Sequence, residues 1–245
     1  MTFGSLFAGI GGLDLGLERA GMECRWQVEI DEFCRKVLAK HWPHVKRYGD
    51  IKTESGADLE PVDLICGGFP CQPVSVAGRR RAQSDERWLW PEFHRIVCMV
   101  RPRFILVENV PGLLTAGIGD VLGDLAASGY DAEWSVFSAC ARGAPHSRER
   151  LFIVAYPVSA ERRPQNSKTL IYTRRENHLQ PVWPKSSEKS EQCDWWDREP
   201  GMGRVAHGVP NWFQRMRGLG NAVVPQVAEE IGRRIVEAEE NHRTR

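Results

Sequence analysis

Short apolar runs alternate with longer stretches of helical spacing from the N-terminus to about residue 156. The short runs, near 3–7, 24–29, 62–66, 104–108, 133–138 and 151–156, read as strands. Between them "LDLGLERAG", "EFCRKVLAKHW", "WPEFHRIVCMVR" and "IGDVLGDLAASG" place apolar residues at helical spacing, and the last ends in a glycine suited to a helix C-terminus. Strand–helix alternation of this kind predicts an α/β fold with a doubly wound, mostly parallel, Rossmann-like sheet. From Pro157 to about Asn211 the periodicity disappears, while Pro, Ser, Glu, Lys, Arg and Trp (183, 195, 196, with 212 just beyond) accumulate. Such a stretch cannot bury a core alone. Periodicity returns in "RMRGLGNAVVPQVAEEIGRRIVEAEE", where Pro225 can open a helix that comes back to the main body. The expected organisation is a main domain over 1–156, a small irregular insert over 157–211 and a returning C-terminal segment over 212–245.

Composition narrows the class. The chain has 245 residues, 42% hydrophobic and 27% charged, enough for one well-buried domain plus an appendage. Seven cysteines without a C-x-x-C pair suggest neither a disulfide framework nor a zinc ribbon, so no metal site is expected and a reducing cytosol fits best. No apolar run has the length of a membrane span, and "MTFGSLFAGIGG" lacks the basic start of a signal peptide, so the expectation is a soluble, cytoplasmic protein. Lys and Arg total 33 against 32 Asp and Glu, so an anionic partner must be met by local clusters such as Arg79, Arg80 and Arg81.

Two groups of residues carry candidate chemistry. "SLFAGIGGLDLGLERAG" is a strand, a glycine turn and a helix, the arrangement that brings backbone close to a nucleoside cofactor. Gly9 and Gly11 fit the first two positions of the dinucleotide fingerprint, but Asp14 stands at the third, which argues against a pyrophosphate cradle. Glu29, at the end of the second strand, is placed to hold ribose hydroxyls, and Asp50, read as following a helix, can accept from an adenine amino group. The second group lies at other strand ends: Cys71 after "VDLICGGFPC", Glu108 after "RFILVEN", and Arg148 and Arg150 before "LFIVAYP". In open α/β sheets the ligand crevice lies beyond the carboxyl ends of the strands, so Cys71 and Glu108 should share it. The two arginines precede their strand and reach the crevice if that strand is antiparallel, expected here at the sheet's edge. Nearby cations would lower the Cys71 thiol pKa, and a carboxyl at Glu108 beside an apolar strand can act as an acid. Cys24, Cys34, Cys66, Cys98 and Cys140 read instead as inert, buried thiols.

"FAGIGG", "GFPCQP", "VENV", "SRERLFIVA" and "GNAVVPQVAEEI", in this order, closely resemble the cytosine-5 DNA methyltransferases over roughly residues 4–156 and 212–236. The resemblance implies S-adenosyl-L-methionine as cofactor, with Phe7, Gly9 and Gly11 in its loop, Glu29 on the ribose, Asp50 near the adenine, and Pro70 and Asn221 at the same site. It implies Cys71 as the nucleophile that adds to C6 of a flipped-out cytosine, Glu108 engaging N3, and Arg148 and Arg150 holding the pyrimidine and the catalytic loop. Gln72 and Arg79, Arg80 and Arg81 are then expected on double-stranded DNA, and 157–211 as a reduced target-recognition region. Leu89 falls at the cofactor in a segment shortened relative to the family, and His146 stands where the family carries glutamine. The implied setting is a monomer in a bacterial or phage-infected cell, with a cognate restriction endonuclease as a partner that such enzymes admit. An RNA cytosine methyltransferase and a catalytically silent DNA-binding descendant are the competing readings. A zinc-dependent deaminase is not, because Gln72, Pro73 and Val74 follow Cys71 where P-C-x-x-C ligands are required.

Overall fold

The computed structural model describes residues 1–70, 88–144, 146–158 and 212–243. Within them lie seven strands and seven α-helices: β1 (Thr2–Leu6), α1 (Gly12–Arg19), β2 (Glu23–Val28), α2 (Glu32–His41), β3 (Lys46–Tyr48), β4 (Leu64–Gly67), α3 (Trp90–Val100), β5 (Phe104–Asn109), α4 (Leu113–Ala116), α5 (Ile118–Ala127), β6 (Tyr130–Ser138), β7 (Glu149–Pro157), α6 (Trp212–Asn221) and α7 (Pro225–Arg243). The strands form one sheet in the order β3-β2-β1-β4-β5-β7-β6. The first five are parallel, and β7 runs antiparallel to both β5 and β6. Order reverses at β1, and helices cover both faces, as expected of a doubly wound sheet.

The buried strands explain the continuous apolar runs. In β5, Phe104 and Leu106 point into one cluster with Leu17, Ile231 and Ile235, while Ile105 and Val107 point into the other with Phe93, Val121 and Leu125. Each such side chain contributes about 1.5–3 kcal/mol on burial. On the first face α1 and α7 touch closely through small residues. A Cβ on Gly12 would fall 2.5 Å from the Val223 carbonyl, and one on Gly16 would fall 2.5 Å from Ala228. This contact returns the C-terminal segment to the start of the chain. Ion pairing of Arg103 with Glu239 fixes the far end of α7 to the sheet.

Three expectations need correction. β7 is antiparallel but not at the edge, because β6 pairs along its full length and takes that place. Asp50 follows the short strand β3 rather than a helix. Cys98 is exposed, beside His94 and Ser128, and Cys34 and Cys140 are half-buried, so only Cys24 and Cys66 match the buried reading. The insert falls outside the described residues beyond position 158.

Candidate functional site

The chain leaves β1 through a turn in which Phe7, Gly9 and Gly11 all have positive φ, at 53°, 58° and 86°. That turn is held by Ala8 N–H to Val28 O at 3.1 Å and Gly11 N–H to Ala8 O at 2.9 Å. Glu29, just past β2, locks it. One carboxylate oxygen accepts the Gly9 N–H and the other accepts the Asp31 N–H, each at 2.7 Å. Each oxygen retains a lone pair for a ligand hydroxyl. Asp31 in turn caps α2, accepting the Cys34 N–H at 3.0 Å.

Beyond the strand ends lies a cavity of about 580 Å³, within the usual range for cofactor sites. Phe7, Gly9, Glu29, Asp50, Pro70, Leu89, Glu108 and Asn221 all line it, so the structure gathers both groups of sequence candidates around one space. Gly9 presents open space where a Cβ would stand, a backbone cradle suited to a close ligand. Gly11 is off the wall. Its missing side chain is required by the Trp42 ring, 2.4 Å from where a Cβ would be. Asp14 is fully buried behind the loop, bonded by Ser5 and Gln27 at 3.0 and 2.8 Å, and burial pushes its carboxyl up to about 6. No pyrophosphate-binding glycine stands there, but an adenosine bearing an uncharged or cationic tail fits the donors and acids present.

The opposite wall is assembled from separate segments. Gly67 and Gly68 let β4 close on its neighbours, since a Cβ on Gly68 would lie 2.5 Å from Glu108 Oε2. The Asn109 amide donates to the Phe69 carbonyl at 3.1 Å, and the Phe69 ring meets Trp88 edge-on at 5.2 Å, fixing the turn that ends at Pro70. Cys71, Gln72, Arg79, Arg80 and Arg81 lie outside the described residues. Glu108 is buried, 3.1 Å from the Arg150 Nε. Burial raises its pKa, and Arg150 and Arg148 oppose the rise without cancelling it. The antiparallel β7 thus delivers a cation to an acid on a parallel strand. Arg148 turns elsewhere: its guanidinium donates to the carbonyls of Gly220 and Ala222, at 2.6 and 2.7 Å, on either side of Asn221.

α6 supplies a third wall, of which sequence reading named only the last residue, Asn221. Gln214, Arg217 and Gly218 line the cavity, and Gly218 packs against Ile10 of the glycine turn. Their only sequence signal is helical spacing immediately before "GNAVVP". Cys34 also lines the cavity, its thiol pushed up to about 12 by burial and by Glu29 and Asp31.

Comparison with known proteins agrees with this geometry. A model of the C-5 cytosine-specific DNA methylases matches residues 1–197. The Type II methyltransferase M.HgiCII of Herpetosiphon aurantiacus is 37% identical over 160 residues, covering 62% of this chain and 36% of the relative. M.FnuDI of Fusobacterium nucleatum is 33% identical over 207 residues, covering 77% of this chain and 60% of the relative. The chain therefore spans 36% and 60% of these two relatives' own length, less than two thirds of either. A prophage-encoded E. coli protein described as a DNA modification methyltransferase superposes with a TM-score of 0.54 at 31% identity, over 64% of this chain and 47% of that one. The Entamoeba histolytica methyltransferase EhMeth, at 20% identity and a TM-score of 0.53 over 64% of this chain and 52% of that one, shares the fold.

Proposed function

The chain belongs to the C-5 cytosine-specific DNA methylase family, and on that premise we propose that it transfers a methyl group from S-adenosyl-L-methionine to C5 of a cytosine in double-stranded DNA. The observation that carries this is the buried Glu108, on the cavity wall beside the Pro70 turn from which Cys71 emerges. Phe7, Gly9, Glu29, Asp50, Leu89 and Asn221 would hold the cofactor, with Glu29 on the ribose and Asp50 toward the adenine. Gly11 serves the same loop from behind, through its packing on Trp42. The cofactor supplies an electrophilic methyl on a sulfonium.

Cytosine C5 is a weak nucleophile, and the residues of this chain address that. The Cys71 thiolate forms a bond to C6, the C5–C6 π pair moves toward N3, and Glu108 in its protonated form relieves the charge there. A raised pKa suits Glu108 to hold that proton, and Arg150 keeps its carboxyl in place. C5, now enamine-like, forms its bond to the methyl as N3 returns its proton to Glu108. A base then removes the C5 proton, and the electron pair re-forms the double bond as Cys71 leaves. Chemistry of this kind requires the base outside the stacked duplex. Arg148 acts from the cofactor side by fixing the carbonyls around Asn221, and Gln72, Arg79, Arg80 and Arg81 meet the DNA.

We assign 1–156 to catalysis, 157–211 to target recognition, and 212–245 to the segment that closes the cofactor wall. The contact of α7 with α1 supports this last assignment. Among the described residues no helix is long and apolar enough to cross a membrane. The proposed setting is the cytoplasm of a bacterial or phage-infected cell, with the chain acting as a monomer and a cognate restriction endonuclease as its counterpart.

Base-resolution mapping of 5-methylcytosine in DNA from a methylation-deficient host expressing the protein tests the proposal. Methylation in a defined context with the wild type, and a fall of at least about 10³-fold with Cys71→Ala, is expected. Unmethylated DNA with methylated RNA, or an active Cys71→Ala, would overturn it.

A further inference from the structure

The charges on the cavity wall do not match in number. Among the described lining residues, Glu29, Asp31, Asp50 and Glu108 are acids, and Arg217 alone is a cation. Acids suit the hydroxyls, the amino groups and the sulfonium of the proposed cofactor. Its amino-acid tail also carries one carboxylate, which four acids would repel. We propose that Arg217 receives this α-carboxylate, a role that rests on the cofactor reading above and adds a charged contact from α6 to the one already assigned to Asn221.

The geometry gives Arg217 both reach and freedom. Gly218 packs against Ile10 of the glycine turn, and Arg217 beside it lines the same cavity as Gly9. Arg148 fastens the same C-terminal end of the helix through the carbonyls of Gly220 and Ala222. The backbone is thereby held while the Arg217 side chain is 66% exposed. Its present partner is loose: Nη1 lies 3.8 Å from Asp31 Oδ2, beyond hydrogen-bond distance. Asp31 does not depend on that pair, since its other oxygen already caps α2. A guanidinium so placed can leave Asp31 for a bidentate carboxylate at small cost. Two other arginines near the cavity are engaged elsewhere: Arg35 with the Glu29 carbonyl at 3.2 Å, and Arg150 with Glu108.

Calorimetry on the full chain separates this role from general support of the site. Two probes are compared, S-adenosylhomocysteine and its carboxamide, which keeps the adenosine, thioether and ammonium but loses the negative charge. Arg217→Ala should weaken S-adenosylhomocysteine about five- to tenfold, an exposed charge-assisted contact, and leave the carboxamide within about twofold. Arg217→Lys should recover part of the difference, and added salt should shrink it. Equal weakening of both probes, or of neither, overturns the inference while leaving the cofactor reading intact. Absence of S-adenosylhomocysteine binding by the wild type overturns both. Thermal unfolding of each variant checks that the exposed substitution leaves the fold unchanged.

Discussion

The two principal walls of the cavity are built by opposite means. The glycine-turn wall comes from two nearby segments, the turn after β1 and Glu29 after β2, and its shape is written in the backbone: three positive φ angles and two N–H groups fixed on Glu29. The Glu108 wall gathers residues from β4, β5, β7 and the 220–222 segment, and long side chains hold it together. A backbone-defined wall is set before any ligand arrives, which suits binding. The other wall holds a buried carboxyl against desolvation, an arrangement that stores reactivity at some cost in stability. Changes on one wall should therefore alter turnover, and changes on the other affinity or stability.

Glu108→Gln gives the largest separation. It preserves shape but removes the proton that the proposed mechanism delivers to N3, so kcat should fall about 10²–10³-fold while S-adenosylhomocysteine affinity holds. Equal losses in both would show that the walls are not independent. Gly68→Ala comes next. Its Cβ would stand 2.5 Å from Glu108 Oε2 in a packed corner where β4 meets β5. The acid must move, and kcat should drop about tenfold with about 1–3 kcal/mol of stability. Steady-state kinetics with thermal unfolding on the same sample checks both.

The difference between the walls also governs what the sequence reveals. Glu29 was legible because a strand end, a glycine turn and an acid lie close together along the chain and interact through backbone. Glu108 and Arg150 were legible as strand-end residues, yet that they share an ion pair depends on β7 sitting between β5 and β6, which no local pattern encodes. Arg148 reads like a second arginine for the pyrimidine, and only the return of the chain shows its guanidinium on Gly220 and Ala222. Gln214, Arg217 and Gly218 of α6 were missed for the same reason, although Asn221 at its end was named. β3, three residues long, is too short to show alternation. Gly11 resembles a ligand-binding glycine in sequence, whereas its lack of a side chain serves Trp42.

Each wall also carries one buried carboxyl with a raised pKa, and only one of them faces the cavity. Asp14, shut behind the glycine turn, is pushed from 3.8 to about 6 by burial. A group whose pKa is raised by folding contributes stability in full below its unfolded pKa and loses it as pH climbs through the folded value. Asp14 should therefore cost about 2 kcal/mol at pH 7 relative to pH 4, an order-of-magnitude figure. Asp14→Asn removes this titration and keeps the geometry, since an amide can accept from Gln27 and donate to the Ser5 hydroxyl. The variant should match the wild type near pH 4 and exceed its melting temperature by about 5–10 °C at pH 7. A gap that stays constant across that range would mean Asp14 keeps one protonation state. Because the charge sits behind the loop rather than on the wall, kcat should follow Glu108 and remain indifferent to Asp14. Turnover that shifts with Asp14→Asn would show that the glycine turn transmits its state to the reacting wall, and the two could no longer be treated as separate.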